Sequence, residues 1–495
     1  MKKIFNFTLV VLAIGLITTS CTKNWEDMNV DPNNPVDVPM TNILANSIVY
    51  TGDQFFDDWQ GMNNFCSYAG QVTKIQYIDE ARYQYRSNVV DNAWRDYYRI
   101  QMDLQKIKDK AIAAENPYME GVAITYSVFL WQMAVDQWGN IPYSEAITAE
   151  SEENWTPKYD NAEEIYNDLF TKLEEANTKF NVTGLPASQT EIGDGDFIYG
   201  GNAAAWQKWT NSLRLRLAIR ISKKNPAKAK TEIETVLGNP SKYPIFTSNA
   251  DEAKLKWDGT APYKEPWAEN HENRDDHAMA QTLIDSLINL GDPRLPVIAD
   301  TIDGGRFVGA PEGAPNGTFN PDTISRIGYM YRDDVAGYTW FMRYSELEFI
   351  IAEAAMNGWS TPEGAETAYL NGINASFEEA GVSDQYDAYV ATPLVAFTGS
   401  DADKYHKIYL QKWIALFKEG QELWAEQRRT DFPPMPAASG SVYLPGGVHN
   451  RGPFHYPYPV SEQNLNSANI SPEMEGIVDD FWGKQLFWDT RTGVN

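Results

Sequence analysis

Apolar residues recur at steps of three and four over long stretches of the chain, the spacing that gathers them on one face of an α-helix. Trp94, Tyr97, Ile100, Leu104, Ile107 and Ala111 form one such stripe. Met119, Val122, Tyr126, Phe129 and Met133 form a second, and Ala162, Ile165, Leu169, Leu173 and Ala176 a third. The link Glu115-Asn116-Pro117 is short and carries a proline, so the first two helices are expected to pack as an antiparallel hairpin. Further helices are expected at about 203–222, 343–357, 362–380 and 404–428. Strand signals are few and short. Successive hairpins predict an all-α fold with a tetratricopeptide-like layer, although the letters contain no repeat of about 34 residues. Two long irregular stretches, 238–275 and 300–341, are crowded with Gly, Pro, Asn, Asp and aromatic residues. Loops of that length carry function or pack as Ω-loops. No break in composition divides the chain, so one α-rich unit over 42–495 is expected.

The amino-terminal pattern is different. Lys2 and Lys3 precede an apolar run from Leu9 to Ile17, which is too short to span a bilayer and reads as a secretory signal. The stretch Ile17-Thr18-Thr19-Ser20-Cys21 resembles a bacterial lipobox, in which small residues precede a cysteine that is acylated and becomes the N-terminus. Residues 1–20 are therefore expected to be a lipoprotein signal peptide and Cys21 the lipidated residue, holding the mature protein at a membrane through acyl chains. Residues 21–41, rich in Asn, Asp and Pro, read as a tether. Cys66 is then left without a partner, so no disulfide framework exists and its expected role is that of a small buried hydrophobe.

Composition narrows the function. Of 495 residues, 43% are hydrophobic and 13% aromatic, which excludes a disordered chain. The 68 Asp and Glu against 41 Lys and Arg give a formal charge of −27, which repels phosphate backbones and argues against nucleic-acid binding. No H-E-x-x-H, G-x-S-x-G or G-x-x-x-x-G-K-[ST] motif is present. His271 and His277, six residues apart, do not share a helix face and do not suggest a zinc pair. With so many acids, chance carboxylate pairs are expected, so no catalytic residue is assigned and the chain is not expected to be an enzyme. The run Glu191 to Asp196 lacks the spacing of an EF-hand and reads as a turn before a helix. No cofactor is expected; a structural calcium is compatible with so acidic a chain, but the sequence does not place one.

Several segments follow one another in order behind the lipobox: Gly139–Ala146 (GNIPYSEA), Asp196–Asn202 (DFIYGGN) leading into Trp206–Arg216 (WQKWTNSLRLR), Gly291–Leu295 (GDPRL), Arg343–Leu347 (RYSEL), Lys418–Trp424 (KEGQELW) and Tyr456–Asn466 (YPYPVSEQNLN). Together they resemble the SusD/RagB family of nutrient-binding outer-membrane lipoproteins, and more narrowly its second, SusD-like branch. The motifs have structural readings. Asn140 to Pro142 stops a helix, Asp196 and Asn202 cap or shape turns, and Arg214, Arg343 and Glu346 make polar contacts between helices. The resemblance implies a helical SusD-like fold, lipid-anchored in the outer membrane and facing the cell surface. It also implies a partner, a SusC-like TonB-dependent transporter whose extracellular mouth this chain would cap.

The function so implied is capture of an oligosaccharide or polysaccharide and its delivery to that transporter. Sugar rings need flat aromatic faces for their C–H side, with amides, carboxylates and guanidinium groups for their hydroxyls, and irregular loops carry such platforms best. The first expectation is Trp257, Tyr263 and Trp267, with Asn270, Asn273 and Arg274 adding hydrogen bonds. A second is Tyr329, Tyr331, Tyr338 and Trp340 around Asp333, Asp334 and Gly337. A third is Gln76 and Tyr77 with Tyr83 and Tyr85. The alternatives are peptide capture by the same kind of lipoprotein, an anchored glycoside hydrolase, and a helical scaffold for other surface proteins.

Overall fold

The computed structural model describes residues 37–148, 153–315, 317–435, 449–477, 479 and 481–495. The signal peptide expected at 1–20, Cys21 and the tether as far as residue 36 lie outside the described residues.

The chain begins with α1 (Met40–Phe55), which packs on α2 (Ser87–Ala113). α2 and α3 (Pro117–Trp138) form the expected hairpin. Asn116 starts α3 by accepting a hydrogen bond from the Met119 N–H at 3.0 Å, and Pro117 occupies the first helical position, where no N–H is required. α4 (Ala162–Phe180) lies against α3 and is capped by Asn161; α5 (Ala203–Arg220), capped by Asn202, lies against α4, and α6 (Pro226–Leu237) returns on α5. All residues of the three apolar stripes are buried. α3 is covered on every side rather than along one stripe, which makes it the axis of the helical body.

The long irregular stretches are stapled to that body by two short antiparallel ladders. β1 (Val72–Lys74) pairs with β3 (His277–Met279), and β2 (Ala253–Lys256) pairs with β4 (Tyr338–Met342). Between the strands lie α7 (Pro266–His271) and α8 (Gln281–Leu290). The second half continues with α9 (Tyr344–Met356), α10 (Ala365–Ala380), α11 (Asp401–Ala415) and α12 (Gly420–Thr430). Sequence periodicity predicts one helix over 404–428, and here the structure differs: the helix is broken between α11 and α12. At the break Lys418 takes a left-handed φ of 79°. Lys418 and Glu419 are both buried, and the turn lets Lys418 reach Glu265 at 2.8 Å and Glu419 reach Arg343 at 2.5 Å, partners that a straight helix would not supply to both.

The family-like motifs act as structural devices. Asn140, just beyond α3, accepts from the Ala162 N–H at the start of α4. Asp196 accepts from the backbone N–H of Ile198, Tyr199 and Gly201 and from the Trp206 indole. Arg214 bridges Glu174 and Glu232, and Arg216 forks onto Glu346. Cys66 is buried, and burial pushes its thiol well above the ordinary range. The C-terminal segment closes over the first hairpin. The Trp138 indole donates to the Pro457 carbonyl at 2.9 Å, the Tyr458 hydroxyl donates to the Trp138 carbonyl at 3.0 Å, and the Trp488 indole donates to Asp136 at 2.9 Å.

At the centre sits a buried ionic network. Arg220 of α5 reaches Asp136 of α3 at 3.2 Å and Glu422 and Glu426 of α12 at 2.5 Å each. Arg429 joins Glu426 to Glu353 of α9, and Lys412 adds a third cation at 3.0 Å from Glu426. Burial opposes ionisation of Glu426, but Arg429, Lys412 and Arg220 outweigh it and hold the carboxyl well below the usual glutamate range. A group depressed in the folded state stabilises above its unfolded value, near pH 4.5 for Glu, and that stabilisation is lost as pH falls below it. The thermal midpoint is therefore expected to drop steadily below about pH 4.5. Scanning calorimetry between pH 7 and 3 checks this, and a flat midpoint over that interval would contradict it.

Candidate functional site

A π-helix, Asp58–Cys66, follows α1. Its bonds reach five residues back, as from Met62 N–H to the Asp57 carbonyl at 3.1 Å, and such turns recur at functional sites. Asp57 caps it by accepting from the Gln60 N–H at 2.7 Å. Gln60 to Cys66 are buried, whereas Trp59 remains 39% exposed.

α7 is locked beside this element. Pro266 opens it, Glu265 caps it by accepting from the Trp267 and Ala268 N–H groups, and the Trp267 indole donates to the Phe56 carbonyl at 2.9 Å. The lock sets Asn270, near the end of α7, so that its amide donates to Asp58 at 2.9 Å. The chain then turns into β3, and Arg274 forks onto Asp276 at 3.1 and 3.0 Å. Its guanidinium lies 5.3 Å from the centre of the Tyr77 ring, which is 71% exposed. The β1–β3 register pairs Lys74 with His277, which brings the Lys74 ammonium to 3.0 Å from Asp276 and 3.6 Å from Glu80. Glu80 also holds Arg86 at 2.7 Å, and Glu80, Tyr85 and Arg86 line a narrow recess with Trp59. Trp59 and Tyr77 are thus two exposed rings on the elements that carry these carboxylate, amide and guanidinium groups.

Charge within this surface is balanced by contact. Burial raises the Asp58 carboxyl above its usual range, against the pull of Lys74 and Arg274. Asp276 is also partly buried, yet its bonds to Arg274 and Lys74 hold it far below that range. Burial and Lys74 push His277 down to about 3, so it is neutral at physiological pH and its Nε2 lies 2.6 Å from Asn63 Oδ1. His271 instead faces Asp275 and Asp333, so the two histidines do not converge. Among the described residues no group of three or more His, Cys, Asp or Glu is placed to hold a metal ion.

The structure brings Tyr77, Asn270 and Arg274 together, with Tyr85 in the recess beside Trp59, and buries or displaces most of the other expected aromatic residues. Trp257 is buried with its indole donating to Thr339 at 2.9 Å, Trp267 is buried against Phe56, and Trp340 is buried beneath the Arg343 guanidinium at 4.1 Å. The stacking expected of these three tryptophans is thereby corrected to packing, since their faces are covered by the loops they fasten. Tyr331 and Tyr83 are buried as well. Tyr263 is 51% exposed on a turn, and Tyr338 is half-buried between the ammonium groups of Lys254 and Lys256; both sit toward the β2–β4 ladder. Sequence reasoning missed Asp58 and Trp59. Their signal was an aromatic between acids and amides, in the run Asp57 to Asn64, where the helical period fails.

A larger cleft, about 720 Å³, opens between α2, α3 and α4. Several of its polar groups are bonded to each other, Tyr143 to Asp168 at 2.5 Å and Ser127 to Gln101 at 2.6 Å, and its Trp131 is buried. It offers no exposed aromatic face.

Comparisons with known proteins agree with this architecture. A chitin-binding protein is 25% identical and superposes with a TM-score of 0.78, covering 92% of this chain and 100% of its own. A SusD homologue from Bacteroides uniformis gives 25% identity and 0.78 over 91% and 99% of the two chains. A chitin-binding SusD homologue from Flavobacterium johnsoniae gives 24% and 0.78 over 91% and 98%. No curated protein sequence matches the chain significantly. No helix among the described residues is long and apolar enough to cross a membrane. Residues 32–457 match the SusD-like family described as starch-binding and associating with the outer membrane, and the chain belongs to that family.

Proposed function

We propose that this chain is a non-catalytic outer-membrane lipoprotein, anchored through Cys21, that captures glycan on the Trp59–Tyr77 surface and passes it to a SusC-like TonB-dependent transporter. The observation that carries the reading is the pair of exposed rings, Trp59 and Tyr77, on a surface that also carries Asp58, Asn270, Arg274 and Arg86. Rings of this kind cover the apolar face of a sugar while the polar groups beside them meet its hydroxyls. The description of the family as starch-binding, and the names of the two chitin-binding relatives, support glycan over peptide. The test is calorimetry of protein starting at Thr22 against soluble glycans and peptides, with the same mixtures assayed for new reducing ends. Saturable heat with one glycan class and no cleavage is expected. Cleavage would replace capture by hydrolysis, and heat with peptides alone would replace the ligand.

A further inference from the structure

The acids and bases of the capture surface are matched in an unusual way. Three of its basic side chains, Lys74, Arg86 and Arg274, are each held by a carboxylate of the same surface. Arg86 is bound by Glu80, Lys74 by Glu80 and Asp276, and Arg274 by Asp276 through both oxygens. Asp276 is the hub. Its side chain is only 3% exposed, whereas that of Arg274 is 46% exposed beside the Tyr77 ring. The guanidinium would otherwise present its fork to a ligand carboxylate in the bidentate geometry such groups prefer. Asp58 adds negative charge beside it, on a chain of net charge −27.

We propose that Asp276 is a specificity-determining residue: by holding Lys74 and Arg274 together it withholds the exposed Arg274 fork from an anionic sugar and biases the Trp59–Tyr77 surface toward uncharged glycans. The inference rests on the capture reading above. A uronate or sulfate on the ligand meets carboxylates that repel it and cations already bonded, so its desolvation is not compensated. An uncharged ring loses nothing by this arrangement, since paired groups still offer lone pairs and N–H bonds to hydroxyls.

The experiment uses the whole protein from Thr22 and two panels at about 0.15 M salt, where long-range repulsion is screened and contact chemistry decides. One panel is uncharged: chito-, malto-, xylo- and mannohexaose. The other is anionic: polygalacturonate, alginate and chondroitin sulfate. The wild-type protein is expected to bind within the first panel and none of the second. Asp276→Asn, which releases Arg274, is expected to gain affinity for polygalacturonate by roughly tenfold or more, the worth of one charge-assisted bidentate contact. Wild-type binding of a polyanion that is lost in Trp59→Ala overturns the inference and leaves glycan capture standing. Silence in both panels overturns capture and this inference with it. A folded Asp276→Asn without any gain overturns the role of Asp276; if that variant does not fold, the wild-type panels decide alone.

Discussion

Arg220→Ala is expected to destabilise the fold by about 3–5 kcal/mol, the effect of removing one partner from a buried ion network. The guanidinium is fully enclosed and is the only group that touches Asp136, Glu422 and Glu426 together among the described residues. Without it Asp136 keeps the hydrogens of Tyr166, Gln132 and Trp488, and Glu426 keeps Arg429 and Lys412. Among the described residues Glu422 keeps the Gln132 amide at 3.4 Å and Arg216 at 3.7 Å, so its buried charge is left largely uncompensated. Arg86→Ala is the comparison. Its partner is one carboxylate and its side chain is 45% exposed, so the change is expected to be no more than about 1 kcal/mol. Urea unfolding of the two variants checks the contrast, and similar midpoints would show that the network does not govern stability.

Trp59→Ala is expected to weaken glycan binding by about tenfold or more. One face of an indole against a sugar removes on the order of 60–80 Å² of apolar surface from water, worth about 1.5–2 kcal/mol. Tyr77→Ala should act in the same direction, and the two together should bring binding below detection, since both rings belong to the capture surface. The far-ultraviolet circular dichroism should be unchanged, because both side chains are exposed and Trp59 lies on a helix whose residues Gln60 to Cys66 are buried, while Tyr77 lies on a bend outside the helices. Tyr263→Ala tests the location. Its ring is exposed but lies toward the β2–β4 ladder, so affinity should change little. A loss confined to Tyr263→Ala would move the site to the segment first expected from sequence.

The helices of the first half were legible because their apolar residues recur on one face; the caps that start them, Asn116, Asn161 and Asn202, are seen in the structure, and of these only Asn202 was read as a cap or turn residue. The gap between α11 and α12 was not, because Lys418 and Glu419 look like surface residues until Glu265 and Arg343 are found beside them. The same limit applied at the site. Aromatics in a loop rich in Gly and Pro signal a platform, but composition does not say which way a ring points. Trp257 and Trp267 turned inward because their indole N–H groups found Thr339 and the Phe56 carbonyl there. Asn270, Arg274 and Tyr77 were legible as types but came from two separate guesses, and only the β1–β3 register joins them. Trp59 lay hidden because a π-turn advances the chain by more residues than the α-helical period on which the pattern was read.

The closure of the C-terminal segment over the first hairpin dictates the order in which this chain can fold. Trp138 and Pro457 are 319 residues apart in sequence, and their contact must wait for the entropy of a very large loop to be overcome. The α2–α3 hairpin forms locally and early, but Asp136 and Trp138 gain their last partners only when Trp488 and Tyr458 arrive. Until then the hairpin carries an open, partly polar flank that withholds the final cooperative step. The core around the hairpin is therefore complete only once the segment from Pro457 to Trp488 has docked on it.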